Sequence, residues 1–351
     1  MQLTNLSLQN FRTYRKENIV FSPATTLIVG ENTAGKTNIL EAISLCSVGK
    51  SFRAKRDSDV VLWGSDIGRI KVKGTSAQGE FLLELVVTTG SINGQKAPIK
   101  KYLVNTIPRR QIDFIGNFRS VLFSPGDLEL VTDSPSLRRE YLNTVLVQVD
   151  REYRRNLQSY ERGLRQRNSL LDRINEGTAS RSQLLFWNQL LIKTGASITD
   201  VRRKFIEYMN ASKLSDLSYQ LVYDPSIISE SSFEEYKDEE VAAKSTLVGP
   251  QRDDFSFFKK EIDVSRFGSR GEQRLAVLWL KLSELAFIEN ETGERPVLLL
   301  DDIFSELDDK SRQLVLEATG KQQTIITSAE EDVVGLVREL PHSQIIRLPI
   351  K

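Results

Sequence analysis

Lys36 and Thr37 close the segment Gly30-Glu31-Asn32-Thr33-Ala34-Gly35-Lys36-Thr37, which fits G-x-x-x-x-G-K-[ST]. That spacing suits a phosphate. Glycines let the backbone curl until successive N–H groups face the same oxygens, and the helix that follows adds its positive end. Lys36 supplies a compact charge for the β- and γ-phosphates, and the Thr37 hydroxyl can ligate Mg²⁺. Such a metal also needs a carboxylate from a neighbouring apolar strand. The stretch "PVLLLDDIFSELDD" (296–309) offers Asp301 after Leu298-Leu299-Leu300, at the strand end where α/β sheets place their ligands. Asp302 follows, in place to orient or deprotonate an attacking water.

A third element is "FGSRGEQRLAVLWLKL" (267–282). Leu275, Leu278, Leu282 and Leu285 give it a buried helical face. Ser269 and Glu272 form an S-x-x-E capping box, in which each side chain satisfies the other residue's orphan N–H. The same helix start also reads as a second anion-binding terminus. Both readings stand at this point.

The rest of the composition excludes more than it proposes. The chain has 351 residues, 40% of them hydrophobic and 27% charged, with a formal net charge of +1. That balance gives no global attraction to nucleic acid, so any basic site must be local. A single cysteine and a single histidine leave no disulfide framework, no multi-cysteine zinc site and no Ser-His-Asp chemistry. Cys46 continues the helical spacing of Ile39, Ala42 and Ile43 and reads as a small buried apolar residue. His342 lies in the loop signature "LPHSQ" and reads as solvated. No stretch reaches about 18 apolar residues, and the amino terminus alternates, so the expectation is a cytoplasmic chain without a membrane span.

Elements must bring these residues together. The first 22 residues read as one or two strands, followed by the apolar strand Leu27-Ile28-Val29 and a helix from Lys36 to about Val48. Between Gly68 and Val104, apolar runs around the turn Asn93-Gly94 predict a small antiparallel region. From about Pro135 to Asn210 the pattern is helical, with breaks at "NEGTAS". The acidic stretch "SESSFEEYKDEE" (229–240) begins a surface helix. A helix over about 271–289, the strand Pro296–Leu300, a helix near 309–319 and the strand "QTIIT" follow. Lys36 and Asp301 can be neighbours only if the helical middle is an excursion from one sheet. The expected division is therefore an ATPase lobe from 1–125 and 245–351, and an inserted helical lobe over 126–244. Sustained heptads are absent, so the chain holds no long coiled-coil arms.

Taken together, the motifs resemble the RecF family of ABC-type ATPase heads over essentially the whole chain. The resemblance is carried by "NFRTY", "GENTAGKTNILEAI", "GKSFR", "FSPGDLELV", "SPSLRREYLN", "QRNSLL", "GPQRDDF", "GSRGEQR" and "LLLDDIFSELDD". It implies an α/β ATPase-head fold, with a mixed sheet, a small antiparallel sheet and an inserted helical lobe. It also implies a homodimer that closes around ATP and Mg²⁺. Ser269 and Gly271 of one copy would meet the γ-phosphate held by Gly30 to Thr37, with Asn38 beside it, in the other. Asp302 would take the hydrolytic carboxylate position, Asp308 would lie in the loop linking the two sites, and Arg12 would approach the nucleotide. The implied activity is a weak, DNA-dependent ATPase of DNA replication, recombinational repair and the SOS response. It would bind single-stranded or gapped DNA and help to load the recombinase with RecO and RecR.

Several positions depart from the family pattern. Thr33-Ala34 stand where a glycine is usual, Gln251 replaces the histidine of "GPHRDD", and Glu272 replaces a glutamine. No histidine follows "QTIIT"; Ser328 is the nearest polar residue. These changes favour slow hydrolysis with ATP binding retained. Two competing readings are a nucleotide-gated scaffold without turnover and a small-molecule P-loop kinase.

For DNA, the helix "DREYRRNLQSYERGLRQRNSLLDR" (150–173) carries seven arginines against four acids. Arg154, Arg155, Arg165 and Arg167 are its candidate phosphate contacts, and Lys100, Lys101, Arg109 and Arg110 form a second cluster. Without an aromatic stripe, backbone contact is expected in place of base reading.

Overall fold

The strands that carry the phosphate motif are buried on both faces, and a parallel sheet follows from that. In a computed structural model describing residues 1–212, 217–330 and 332–349, every residue of Thr25–Val29, Val297–Asp301 and Thr324–Ser328 is buried. Continuous apolar runs of this kind fit strands covered on both sides by helices. Among the described residues they form a five-stranded sheet in the order Ser120–Phe123, Val297–Asp301, Thr324–Ser328, Thr25–Val29 and Gln344–Arg347. All of its neighbouring pairs are parallel. The register sets Asp301 against Thr327 and Ser328 against Val29. Three carboxyl-terminal strand ends therefore share one edge.

Contacts divide the chain into two units, Met1–Asp127 with Leu280–Lys351, and Leu128–Trp279. The first unit also holds a six-stranded antiparallel sheet, larger than the antiparallel region expected from sequence. Its order is Tyr14–Val20, Gln2–Phe11, Ile67–Ser76, Gly79–Thr88, Lys100–Val104 and Ile107–Arg109. The strand Ile67–Ser76 alternates buried and exposed residues, as a sheet with one wet face requires. Asn93 and Gly94 both take positive φ at the tip of a short hairpin, as their sequence indicates.

The second unit is built on the helices Pro135–Val149, Arg151–Asn175 and Leu185–Ala211. Asp150 restarts the chain between the first two by accepting N–H bonds from Glu152 and Tyr153 at 2.7 and 3.0 Å. Tyr219–Asp224 pairs antiparallel with Asp254–Lys259. This pairing corrects the expected return boundary. The chain leaves the helical unit after Trp279, not at 244, because the strand beginning at Asp254 belongs to that unit's own sheet. The last long helix, Arg270–Thr292, begins in the second unit and ends in the first.

Candidate functional site

The P-loop follows the buried strand Thr25–Val29 directly. Gly30 leaves little room for a side chain: a Cβ there would meet Leu348 Cβ at 3.1 Å. Glu31, Asn32 and Thr33 are exposed, and Gly35 caps the helix Lys36–Val48 with φ of 96°. A side chain at Gly35 would be strained and would lie 2.8 Å from the Tyr14 hydroxyl. That hydroxyl donates to the Gly35 carbonyl at 3.2 Å, and burial, with Glu17 nearby, pushes its pKa up to about 12. Thr33 takes φ of 76°, a left-handed conformation that a β-branched residue adopts only at a cost.

Lys36 is 6% exposed, and its ammonium donates to the carbonyls of Gly30 and Glu31 at 2.7 and 2.9 Å. The loop thus folds around its own cation. Thr37 Oγ1 donates to Asp301 Oδ1 at 2.9 Å, and Thr327 Oγ1 donates to the same oxygen at 2.8 Å. Burial raises the Asp301 pKa, against the two threonine hydrogen bonds and the positive charge of Arg53, which pull it down. A partly desolvated carboxylate joined to a P-loop hydroxyl is the donor set that a hard divalent cation takes, so the residues present fit Mg²⁺.

Asp302 turns the chain with φ of 53°, and its N–H donates to the Thr327 carbonyl at 3.1 Å. Asp308 caps the helix Asp309–Thr319 by accepting from Ser311 N–H at 2.8 Å. Ser328 is buried, and its hydroxyl accepts from Glu330 N–H at 3.0 Å. Asn38 is held between Thr13 and Arg53 at 3.0 and 3.2 Å. Arg12 is engaged by the helix that follows the loop. Its guanidinium grips the fully buried Glu41 with Nε–H donating to Oε2 at 2.8 Å, and it also donates to the Asp59 carbonyl at 2.9 Å.

Sequence reasoning missed Thr327, Tyr14, Arg53 and Glu41. Thr327 was signalled by a hydroxyl at the end of "QTIIT". Glu41 was signalled by a carboxylate set among the apolar residues of "NILEAI". The other two depend on pairings distant in sequence.

Ser269 and Gly271 belong to the helical unit, both exposed at the start of Arg270–Thr292. The capping box is formed. Glu272 Oε2 accepts from Ser269 N–H at 3.1 Å and from its hydroxyl at 3.2 Å, and Glu272 N–H donates back at 3.3 Å. Lys259 donates to Glu272 Oε1 at 3.0 Å. The Ser269 backbone bond, with Lys259, holds the Glu272 carboxyl below the usual glutamate range. The charge that Glu272 adds is therefore paired within its own unit.

The four arginines proposed for DNA separate into two kinds. Arg167 is corrected: it is 2% exposed, donating to Asn188, Thr246 and Glu240 at 2.7, 2.8 and 2.6 Å and lying over the Phe233 ring. A charge spent on a buried ion pair cannot reach a phosphate. Arg154 is half-buried and donates to the Val147 carbonyl. Arg155 and Arg165 are exposed. Of the second cluster, Lys100 is committed to Asp57 and the Gly49 carbonyl, and Arg110 pairs with Asp113. Cys46 is buried as expected, and no described helix is long and apolar enough to cross a membrane.

Comparison with known proteins gives the family and the fold. The model of the RecF/RecN/SMC N-terminal domain matches residues 2–343. The DNA replication and repair protein RecF of Lachnoclostridium phytofermentans is 36% identical over 340 residues, 93% of this chain and 92% of that protein. RecF of Herpetosiphon aurantiacus is 37% identical, covering 95% of this chain and 94% of its own. The structure of the recombination mediator protein RecF of the RecFOR pathway with ATP matches with a TM-score of 0.85. It is 32% identical to this chain and covers 94% of it, and 92% of the other chain is matched. An Smc head domain from Pyrococcus furiosus shares the fold alone, at 18% identity and a TM-score of 0.50, covering 95% of this chain and 91% of its own.

Proposed function

The chain belongs to the RecF/RecN/SMC N-terminal domain family, and from that membership and the geometry above we propose that it is an ATP-dependent DNA-binding protein of DNA replication and repair. The observation that carries the reading is the hydrogen bond from Thr37, next to Lys36, to Asp301, made across the intervening strand Thr324–Ser328. In this reading Lys36 exchanges its loop carbonyls for the β- and γ-phosphate oxygens, and backbone N–H groups of the loop cradle the chain of phosphates. Thr37 and Asp301 would hold Mg²⁺, which would supply positive charge to offset that of the phosphates. Asp302 orients the attacking water. Ser269 and Gly271 complete the site of a second copy, so ATP joins two chains and its slow hydrolysis parts them. The remaining roles are binding of single-stranded or gapped DNA, recombinase loading alongside RecO and RecR, participation in the SOS response, and a cytoplasmic location.

A second reading, a nucleotide-gated scaffold without turnover, is favoured by the Ser328 hydroxyl, which is buried on Glu330 N–H. Sedimentation with and without Mg·ATP and DNA tests the proposal. The protein is expected to pair with ATP, Lys36→Arg to remain monomeric, and Asp302→Asn to stay trapped as a dimer. A wild type that stays monomeric at saturating ATP removes the proposal. Pairing with no difference between wild type and Asp302→Asn selects the scaffold.

A further inference from the structure

The helix Arg151–Asn175 buries one side and arms the other. Tyr153, Tyr160, Gly163, Arg167 and Leu171 are its buried residues. At about 100° per residue, Arg155, Arg162, Arg165 and Arg173 fall within about 80° of one another, on the side turned away from that buried set. All four are exposed. Among the described residues none of the four makes a side-chain hydrogen bond or an ion pair within 4.0 Å. A solvated helix face ordinarily alternates its signs and uses pairs one turn apart. Here the nearby acids do not serve that purpose. Asp172 is taken by Lys244 at 2.7 Å, and Glu161, one turn before Arg165, makes no ion pair with it. Four other arginines of the same unit are matched: Arg138 with Asp254, Arg167 with Glu240, Arg181 with Asp238 and Arg202 with Asp253. Arg173 also sits in the last helical turn, where a cation is favoured by the helix dipole, but that does not account for the other three.

We propose that this unpaired arginine row is a docking surface for a nucleic-acid backbone, with Arg155, Arg162, Arg165 and Arg173 each taking a phosphate. The proposal rests on the DNA-binding reading and gives it a surface. From Arg155 to Arg173 the row runs about 27 Å at 1.5 Å per residue. Phosphates of one strand at about 3.4 Å intervals pass roughly eight steps in that length. Guanidinium forks suit such a target because each donates two parallel bonds to a phosphate. The repeating charge of a phosphodiester chain complements a linear row, and the row carries no apolar anchor of the kind a protein partner uses.

The test is fluorescence anisotropy of labelled duplex and single-stranded oligonucleotides, with full-length protein, Mg²⁺ and a non-hydrolysable ATP analogue, across a salt series. The comparison is with the variant carrying Arg155→Gln, Arg162→Gln, Arg165→Gln and Arg173→Gln. The variant is expected to bind about 10- to 100-fold more weakly near 100 mM salt, with a log–log salt slope smaller by about 3. Its thermal melting and its nucleotide affinity should match wild type, since glutamine keeps the helix and the surface. Arg162→Glu alone should give a graded, smaller loss. Unchanged affinity and slope in the fourfold variant, with wild type binding, overturn the row and leave the DNA reading standing. Loss of an acidic protein partner with DNA affinity intact overturns it as well. A wild type that binds neither oligonucleotide removes both.

Discussion

Thr37 Oγ1 donates to Asp301 Oδ1 at 2.9 Å across 264 residues of sequence, and a second threonine, Thr327, donates to that same oxygen. Burial, more than any neighbour, sets the Asp301 carboxyl above its ordinary range. The sign follows. An acid whose folded pKa is raised is most stabilising when protonated, so its contribution is complete below the unfolded value, near 3.9, and is lost as pH rises through the folded value. Asp301→Asn keeps an acceptor for both hydroxyls and removes the desolvated charge. It should raise the nucleotide-free melting temperature by roughly 1–3 °C at pH 7 to 8. It should also lower Mg²⁺-dependent nucleotide affinity by about 100-fold or more. The difference in melting temperature should shrink as pH falls toward the folded pKa. Melting curves of both proteins across pH check this, and a gap that widens in acid contradicts it.

Thr33 offers a cleaner stability gain. Its φ of 76° places a β-branched side chain in left-handed space, and the side chain is exposed, so little packing compensates. Thr33→Gly should relieve strain worth about 1–2 kcal/mol, less the roughly 1 kcal/mol that glycine's extra unfolded freedom costs. The net is a small rise in melting temperature with nucleotide affinity preserved. Thr33→Ala should gain less, because its Cβ remains. Equal melting temperatures for all three proteins would remove strain from the account of this loop.

Glu272 places a carboxylate on the donors proposed to meet a phosphate. One of its oxygens accepts from both the N–H and the hydroxyl of Ser269, while Lys259 holds the other. In the proposed pairing, an incoming γ-phosphate would have to displace it. Glu272→Gln should therefore let ATP pair the chains at nucleotide or protein concentrations several-fold lower, read by sedimentation. Mild acid does not substitute for the change, because the Ser269 backbone bond and Lys259 keep that carboxyl ionised below the usual glutamate range. Weaker pairing in the variant would show that the box serves the helix and not the competition.

The parts of this molecule legible in the sequence are those whose signal is local. The apolar runs Leu27-Ile28-Val29 and Pro296–Leu300 announced strands, which the structure buries, and the glycine–lysine spacing announced a phosphate loop. The boundary of the helical unit was not legible, because it depends on Tyr219–Asp224 finding Asp254–Lys259. Arg167 is instructive. Its charge suggested a surface, but the structure sets it on the buried side of its helix with Tyr153, Tyr160 and Leu171. Partners that make such burial tolerable, Glu240 and Thr246, lie more than 70 residues away, at separations of 73 and 79. Arg12 tells the same story, since only folding shows that Glu41 occupies its guanidinium.

The "GPQRDD" motif has a structural role that sequence left open, and it yields the largest expected effect. Asp253 is fully buried and accepts from Arg202 at 2.8 Å, from Ser226 N–H at 2.8 Å and from the Tyr223 hydroxyl. Arg202 also donates to the Pro250 carbonyl at 2.7 Å and to Asn143 at 2.9 Å. Next to them, Asp254 accepts from Nε and Nη2 of Arg138 at 2.6 and 2.9 Å, and Gln251 accepts from Tyr160 while donating to Val248 at 2.8 Å. Loop and helices are thus fastened at the point where the strand Asp254–Lys259 begins, and Lys259 at its far end holds Glu272. Arg202→Ala strands a buried carboxylate and should cost about 3–5 kcal/mol. Tyr223→Phe, which removes one bond of several, should cost about 1–2 kcal/mol. Denaturant unfolding followed by circular dichroism measures both. Because Arg202 and Tyr223 share one acceptor, their effects should be non-additive in a double-mutant cycle. A cost below about 1 kcal/mol for Arg202→Ala would mean that Asp253 finds solvent or another donor, and the anchoring role would then pass to the Arg138–Asp254 pair alone.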